Sequence, residues 1–184
     1  MFRTTPNTQV IRPADASEIK FAWVAALTFQ GPTILALARQ NLPDLGLATD
    51  YHTTMARGAY IVRQEHAPLV ILYASGSEVA LALEVWERLC ARRIGARVIS
   101  VPCFELFQTQ DQSYKSKILH HQGGLAVSIE AADELGWHQF IGQKGLTVSM
   151  NDFGRSDAPQ KVGDYFGFHA ELIEKRILDR LNEA

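Results

Sequence analysis

Cysteine is scarce: Cys90 and Cys103 are the only two in 184 residues. Neither stands at a metal-ligand spacing, which excludes a cysteine zinc site and a disulfide framework. The first residues carry no leader-like apolar run, so the expectation is reduced thiols and a cytoplasmic location. Long hydrophobic stretches are missing too. The run Leu69 to Ala74 is strand-sized, and no run approaches the roughly 18–20 residues that span a bilayer. Charge of one sign is also lacking, with 18 Lys+Arg against 20 Asp+Glu and a net charge of −2. Residues 1–67 carry six basic and five acidic groups, and residues 68–184 carry twelve and fifteen. No basic stripe forms, which argues against nucleic acid as a partner. Arg88, Arg92, Arg93 and Arg97 read as the solvated face and end of a helix. What is present, 47% hydrophobic and 21% charged residues, is the composition of a globular protein. The length fits one domain, or one domain with a piece of a second.

The opening segment reads as strand, helix, strand. Gln9-Val10-Ile11 is stopped by Arg12-Pro13. Asp15 or Ser17 then caps a helix to about Thr28, and Thr33 to Leu37 is a continuous apolar run of the kind buried on both faces of a sheet. Turn formers dominate residues 40 to about 67, where no apolar period survives except around Ala59 to Val62. Residues 51–67 are therefore expected to be a linker. A second series follows: a strand over Leu69–Ala74, a helix with Val79, Leu83, Trp86, Leu89 and Cys90 inward, and strands over Arg97–Val101, Gly124–Glu130 and Leu146–Met150. Helical stretches fall near Asp111–Leu119 and Gly136–Ile141. An amphipathic helix closes the chain over about Ala170–Leu181, with a Glu171→Lys175 pair outward. The fold class expected is α/β, a mostly parallel sheet flanked by helices over 68–184, preceded by a strand–helix–strand remnant over 1–50.

Few groupings carry chemistry. The turn Ser75-Gly76-Ser77, between a strand and a helix, is a possible anion site, because a helix N-terminus offers free N–H groups and partial positive charge. It lacks the lysine of a P-loop and the three glycines of a dinucleotide fingerprint, and helix capping by Ser75 or Ser77 is the plainer reading. His120-His121 has no carboxylate or cysteine spacing to support a metal, and surface histidines at a helix end explain it. Glu130, Asp133, Glu134 and His138 lie where a strand ends, the edge at which open sheets place their sites. Carboxylates decorating a helix N-terminus are the plainer reading. Cys90 and Cys103 have no histidine partner and read as structural. Arg39 follows a buried strand, placed either to grip a phosphate or carboxylate bidentately or to pair with Asp44 or Asp50.

A family resemblance rests on ordered motifs along the chain. Pro6-Asn7…Arg12-Pro13-Ala14-Asp15, Gly31-Pro32-Thr33 and Ala38-Arg39-Gln40-Asn41-Leu42-Pro43 are similar to transketolase. So are Gly58-Ala59-Tyr60, Ala74-Ser75-Gly76-Ser77-Glu78-Val79, Phe104-Glu105-Leu106-Phe107, Gly136-Trp137-His138, Asp152-Phe153-Gly154 and Tyr165-Phe166-Gly167-Phe168. One departure is Asn151-Asp152-Phe153-Gly154-Arg155-Ser156-Asp157, where the family more usually has Asp-Arg-Phe-Gly-Ala-Ser. The resemblance implies the end of a pyrimidine-binding domain followed by a complete C-terminal domain. It implies that the intact enzyme, a homodimer of the pentose phosphate pathway, moves a two-carbon ketol unit between ketose and aldose phosphates with thiamine diphosphate and a divalent metal (Mg). No catalytic or metal-binding residue of that enzyme has a counterpart here, and Arg39 matches the family's sugar-phosphate-binding arginine. The isolated chain is thus expected to bind no cofactor and to be inactive without the N-terminal transketolase domains. The alternative is a free-standing, non-catalytic domain for dimerisation or regulatory anion binding. Either way, the apolar face of the remnant, Trp23 and Leu27, is expected to be partly exposed, disordered or covered by another chain.

Overall fold

The computed structural model describes residues 2–46, 50–119, 123–150 and 152–183. His120 and His121 lie outside them. Near the start, β1 (Gln9–Ile11) and β2 (Thr33–Leu35) pair in parallel around α1 (Ala16–Thr28). Asp15 is the cap: its carboxylate accepts from the Glu18 amide at 2.9 Å, and the Glu18 side chain reaches back to the Ala14 amide at 2.7 Å. One orphan donor of the first turn is satisfied by Asp15, and Glu18 in return holds the amide just before the cap.

A five-stranded sheet follows, formed by β3 (Tyr60–Gln64), β4 (Val70–Ala74), β5 (Ala96–Ser100), β6 (Leu125–Ile129) and β7 (Leu146–Val148) in the order β3-β5-β4-β6-β7. All pairs are parallel except β3 with β5. The helices are α2 (Glu78–Ala91), α3 (Phe104–Gln108), α4 (Gln112–Leu119), α5 (His138–Ile141), α6 (Pro159–Phe166) and α7 (Ala170–Asn182). Every residue of the central strand β4 is buried, as its unbroken apolar run requires. Its side chains alternate with the pleat. Val70, Leu72 and Ala74 pack with Val79, Val85 and Leu89 of α2 and Ile173 and Ile177 of α7. Ile71 and Tyr73 pack on the opposite face with Phe104, Phe107, Ile118, Trp137 and Phe140. No helix among the described residues is long and apolar enough to cross a membrane.

Three expectations need correction. Residues 51–67 are not linker throughout, because β3 falls within them and closes the sheet as its antiparallel edge strand. Its two C-terminal residues are exposed, and that polar end hides the period a buried strand would show. Along α7, the carboxylates turn to α2 rather than to Lys175. Glu171 lies 3.5 Å from Arg88, and Glu174 lies 2.7 Å from Arg88 and 2.5 Å from Arg92. Cys90 is only half-buried, whereas Cys103 is buried in a third apolar cluster. That cluster joins Ile11, Ala22 and Ala25 of the opening segment to Met55 and Cys103. The opening segment therefore docks on the sheet domain with one face. The other stays open, with Trp23 53% and Leu27 80% exposed.

Candidate functional site

The carboxyl ends of β4, β5 and β6 all reach Arg12 of the opening segment. Its amide donates to Pro102 O after β5 at 2.9 Å, and its carbonyl accepts from the Gly76 amide after β4 at 3.0 Å. The guanidinium then reaches Ser75 Oγ at 3.2 Å and Glu78 Oε2 at 2.9 Å, and pairs closely with Glu130 just past β6. Glu130 also accepts a bidentate pair from Arg3 at 2.7 and 2.9 Å, a hydrogen bond from Ser75 Oγ at 3.2 Å and one from Trp137 Nε1. Arg3 is further fixed 4.0 Å above the Phe104 ring. Burial opposes ionisation of Glu130. The hydrogen bonds from Arg3, attraction to Arg12 and Arg3, and the Trp137 donor outweigh it and hold the carboxyl below the usual carboxylate range. Two guanidinium groups face two carboxylates here, so the cluster is balanced in charge. Glu130 is only 1% exposed. It is therefore a binding hub between segments rather than surface decoration of a helix. Asp133 does remain exposed, and His138 sits 3.7 Å from Glu134 at the surface.

Nearby, Glu18 is buried. Its Oε1 accepts from Tyr60 Oη at 2.5 Å and Ser100 Oγ at 2.7 Å, tying α1 to β3 and β5. Burial pushes this carboxyl up, only partly offset by the hydrogen bonds it accepts from Ser100, Tyr60 and the Ala14 amide.

The turn Ser75-Gly76-Ser77 is divided between two environments. Ser75 is buried under Arg12, and a Cβ on Gly76, whose φ is +60°, would sit 3.4 Å from the Arg12 guanidinium. Neither serine caps α2, since Ser77 Oγ donates to Glu78 Oε1 at 2.6 Å instead of accepting from a backbone amide. Ser77 lies on the other side, lining a cavity of about 350 Å³ together with Arg39, Gln40, Glu78, Arg155 and Asp157. The fold thus brings Arg39 and Ser77 to one cavity and sends Ser75 and Gly76 to the ion cluster. Arg39 is exposed and forms none of the ion pairs found among the described residues, so the pairing with Asp44 or Asp50 is not made. Sequence reasoning missed Arg3, Arg12 and Glu78, because their partners lie up to 127 residues away. It met Arg155 only as a departure from a motif.

This arrangement of a parallel sheet, its helices and a docked strand–helix–strand segment can be set beside known proteins. A family model described as the transketolase-like TK C-terminal domain matches residues 58–169. The chain belongs to the transketolase family. A second model, the transketolase pyrimidine-binding domain, matches residues 1–44. Among similar proteins, the transketolase of Aquifex aeolicus is 36% identical over 182 residues, which is 97% of this chain and 26% of that protein. A transketolase of Staphylococcus epidermidis is 42% identical over 180 residues, 95% of this chain and 27% of that protein. Among solved structures, transketolase from Pichia stipitis in complex with sedoheptulose 7-phosphate is 32% identical, with a TM-score of 0.90. That likeness covers 98% of this chain and 26% of the other. The chain spans about a quarter of the length of the transketolases it matches.

Proposed function

We propose that this chain is the C-terminal part of a transketolase whose intact form transfers a two-carbon ketol unit between ketose and aldose phosphates in the cytoplasm. Within it, residues 1–50 would be the end of the pyrimidine-binding domain and residues 68–184 the C-terminal domain. Residues 51–67 would connect them, with β3 joining the second. Arg39 carries this reading. It stands in the motif that matches the family's sugar-phosphate-binding arginine, and it faces a cavity with no carboxylate paired to it among the described residues. Thiamine diphosphate would supply electron-pair stabilisation on the substrate carbon in the intact enzyme. Among the described residues no three His, Cys, Asp or Glu side chains are placed to hold a metal ion. The diphosphate and its metal would be held by the N-terminal transketolase domains. What the chain contributes is orientation. A guanidinium gripping a phosphate remote from the reacting carbons spends binding energy on alignment, which raises turnover as well as affinity. The N-terminal transketolase domains, a second copy of the enzyme and sugar phosphates are the partners this implies.

Two experiments test the proposal. With thiamine diphosphate, magnesium, a ketose phosphate and an aldose phosphate, the chain alone is expected to give no turnover and no micromolar cofactor binding by calorimetry. Either result appearing would overturn the assignment as a dependent part. Replacing the corresponding quarter of an active relative with this chain should restore ketol transfer. Arg39→Ala in that chimera should then raise KM for the phosphorylated substrates by about tenfold or more, the loss of a charge-assisted hydrogen bond. Equal kinetics for the chimera with and without the Arg39→Ala substitution would remove Arg39 from the site.

A further inference from the structure

The cavity that holds Arg39 also receives Arg155, and resemblance to the family gives Arg155 no role. The two arginines come from different parts of the chain. Arg39 follows β2 in the opening segment, whereas Arg155 lies in the loop before α6. The cavity is therefore lined from both sides of the seam.

Charge decides what such a cavity accepts. Two carboxylates also line it, and both are already engaged. Glu78 pairs with Arg12 at 2.9 Å and accepts from Ser77 Oγ at 2.6 Å. Asp157 pairs with Lys161 at 3.6 Å and accepts from the Ala158 amide at 2.8 Å. Arg39 and Arg155 form no ion pair among the described residues. The unpaired charge facing the cavity is therefore positive and comes from both sides. Arg155 is also held in place: its guanidinium stacks 3.5 Å from the centroid of the Tyr165 ring. Stacking consumes the face of a guanidinium and leaves its N–H edge free to donate in plane. The start of α2 at Ser77 adds its partial positive charge from a third direction.

We infer that Arg155 and Arg39 together form a phosphomonoester site, in which the C-terminal domain supplies the second cation through Arg155. Two planar forks with free edges suit the oxygens of a phosphate dianion. A cavity of about 350 Å³ has room for the phosphate and part of the sugar that carries it. The inference rests on the transketolase reading for the sugar and on the cavity alone for Arg155. It makes Arg155 a binding residue within the stretch where the sequence departs from the family motif.

The test is a titration of the whole chain, followed by nuclear magnetic resonance and calorimetry, with inorganic phosphate, ribose 5-phosphate and unphosphorylated ribose as probes. Saturable binding of ribose 5-phosphate, weaker binding of inorganic phosphate and none of ribose is the expected order. Equal affinity for the two phosphates would instead identify a simple anion site and overturn the phosphomonoester assignment. Arg155→Ala should weaken ribose 5-phosphate binding about tenfold, the equivalent of one charge-assisted hydrogen bond. Arg155→Glu should abolish it, and Arg155→Lys should restore part of it. Unchanged melting temperatures would show that the variants stay folded. If Arg39→Ala abolishes binding while Arg155→Ala does not, the inference fails and the transketolase reading stands. If none of the probes binds the wild-type chain, the two-arginine site is refuted. The chimera assay then judges the transketolase reading separately.

Discussion

At the scale of single residues, Glu130 joins the opening segment to the sheet domain. It is enclosed by two guanidinium groups, an indole N–H and a hydroxyl, so removing its charge strands Arg3 and leaves Arg12 with the Glu78 carboxylate alone. Glu130→Gln is expected to lower unfolding free energy at neutral pH by about 3 kcal/mol, the usual cost of breaking one side of a largely buried pair. The pH dependence follows from the direction of the shift. A carboxyl held below its ordinary value contributes stability that is complete above the unfolded value of about 4.3. That contribution is lost as pH falls from there through the folded value. Glu18, pushed up by burial, acts in the opposite sense, because its stabilisation fades as pH rises above the unfolded value. Subtracting variant from wild type cancels Glu18 and leaves Glu130. Urea midpoints measured from about pH 3 to pH 7 should show the wild-type advantage shrinking only at the acid end, and a constant gap would contradict the ionised hub.

At the scale of elements, the approach of β3 to α3 depends on Gly58. Its φ is +72°, and a Cβ there would lie 2.2 Å from Phe107 N and 2.4 Å from Cys103 O, both backbone atoms that cannot step aside. Gly58→Ala is therefore expected to cost about 3 kcal/mol or more. Gly123→Ala is the control. Its φ is +82° with nothing within 4 Å of a new Cβ, so only the left-handed backbone is penalised, at about 1 kcal/mol. Similar urea midpoints for the two would refute the steric argument. These elements also show what can be read from sequence and why. The strand β4 is plain because burial on both faces demands an unbroken apolar run. In β3, Arg63 and Gln64 stand at an exposed edge, and the turn formers before it break any period. Arg39 and Ser77 are legible as residue types suited to anions. The hub is not, since no local spacing announces that Arg3 and Arg12 will meet a carboxylate more than a hundred positions later.

At the scale of the whole molecule, the helix α1 shows water an apolar face that has no counterpart on the sheet domain. Trp23, Val24 and Leu27 are 53%, 40% and 80% exposed, while Ala22 and Ala25 of the same helix are buried. Exposed apolar surface of this kind favours association. The double variant Trp23→Lys, Leu27→Lys is expected to keep the melting temperature within about 3 °C, since surface changes seldom exceed ~0.5 kcal/mol. It should also abolish concentration-dependent self-association in sedimentation velocity. A fall in melting temperature well beyond that would mean the two side chains are packed within the monomer.

The hub has a further consequence in time. Arg12 and Arg3 leave the ribosome 118 and 127 residues before the carboxylate they share. While the chain is being made, at about 5–20 residues per second, both cations stand in water without that counter-charge. The ion cluster is therefore completed only after β6 has been synthesised, whereas the contacts of the opening segment with Met55, Ser100 and Cys103 need no residue beyond 103. A chain interrupted before Glu130 would keep those contacts and lose the carboxylate that Arg3 and Arg12 share.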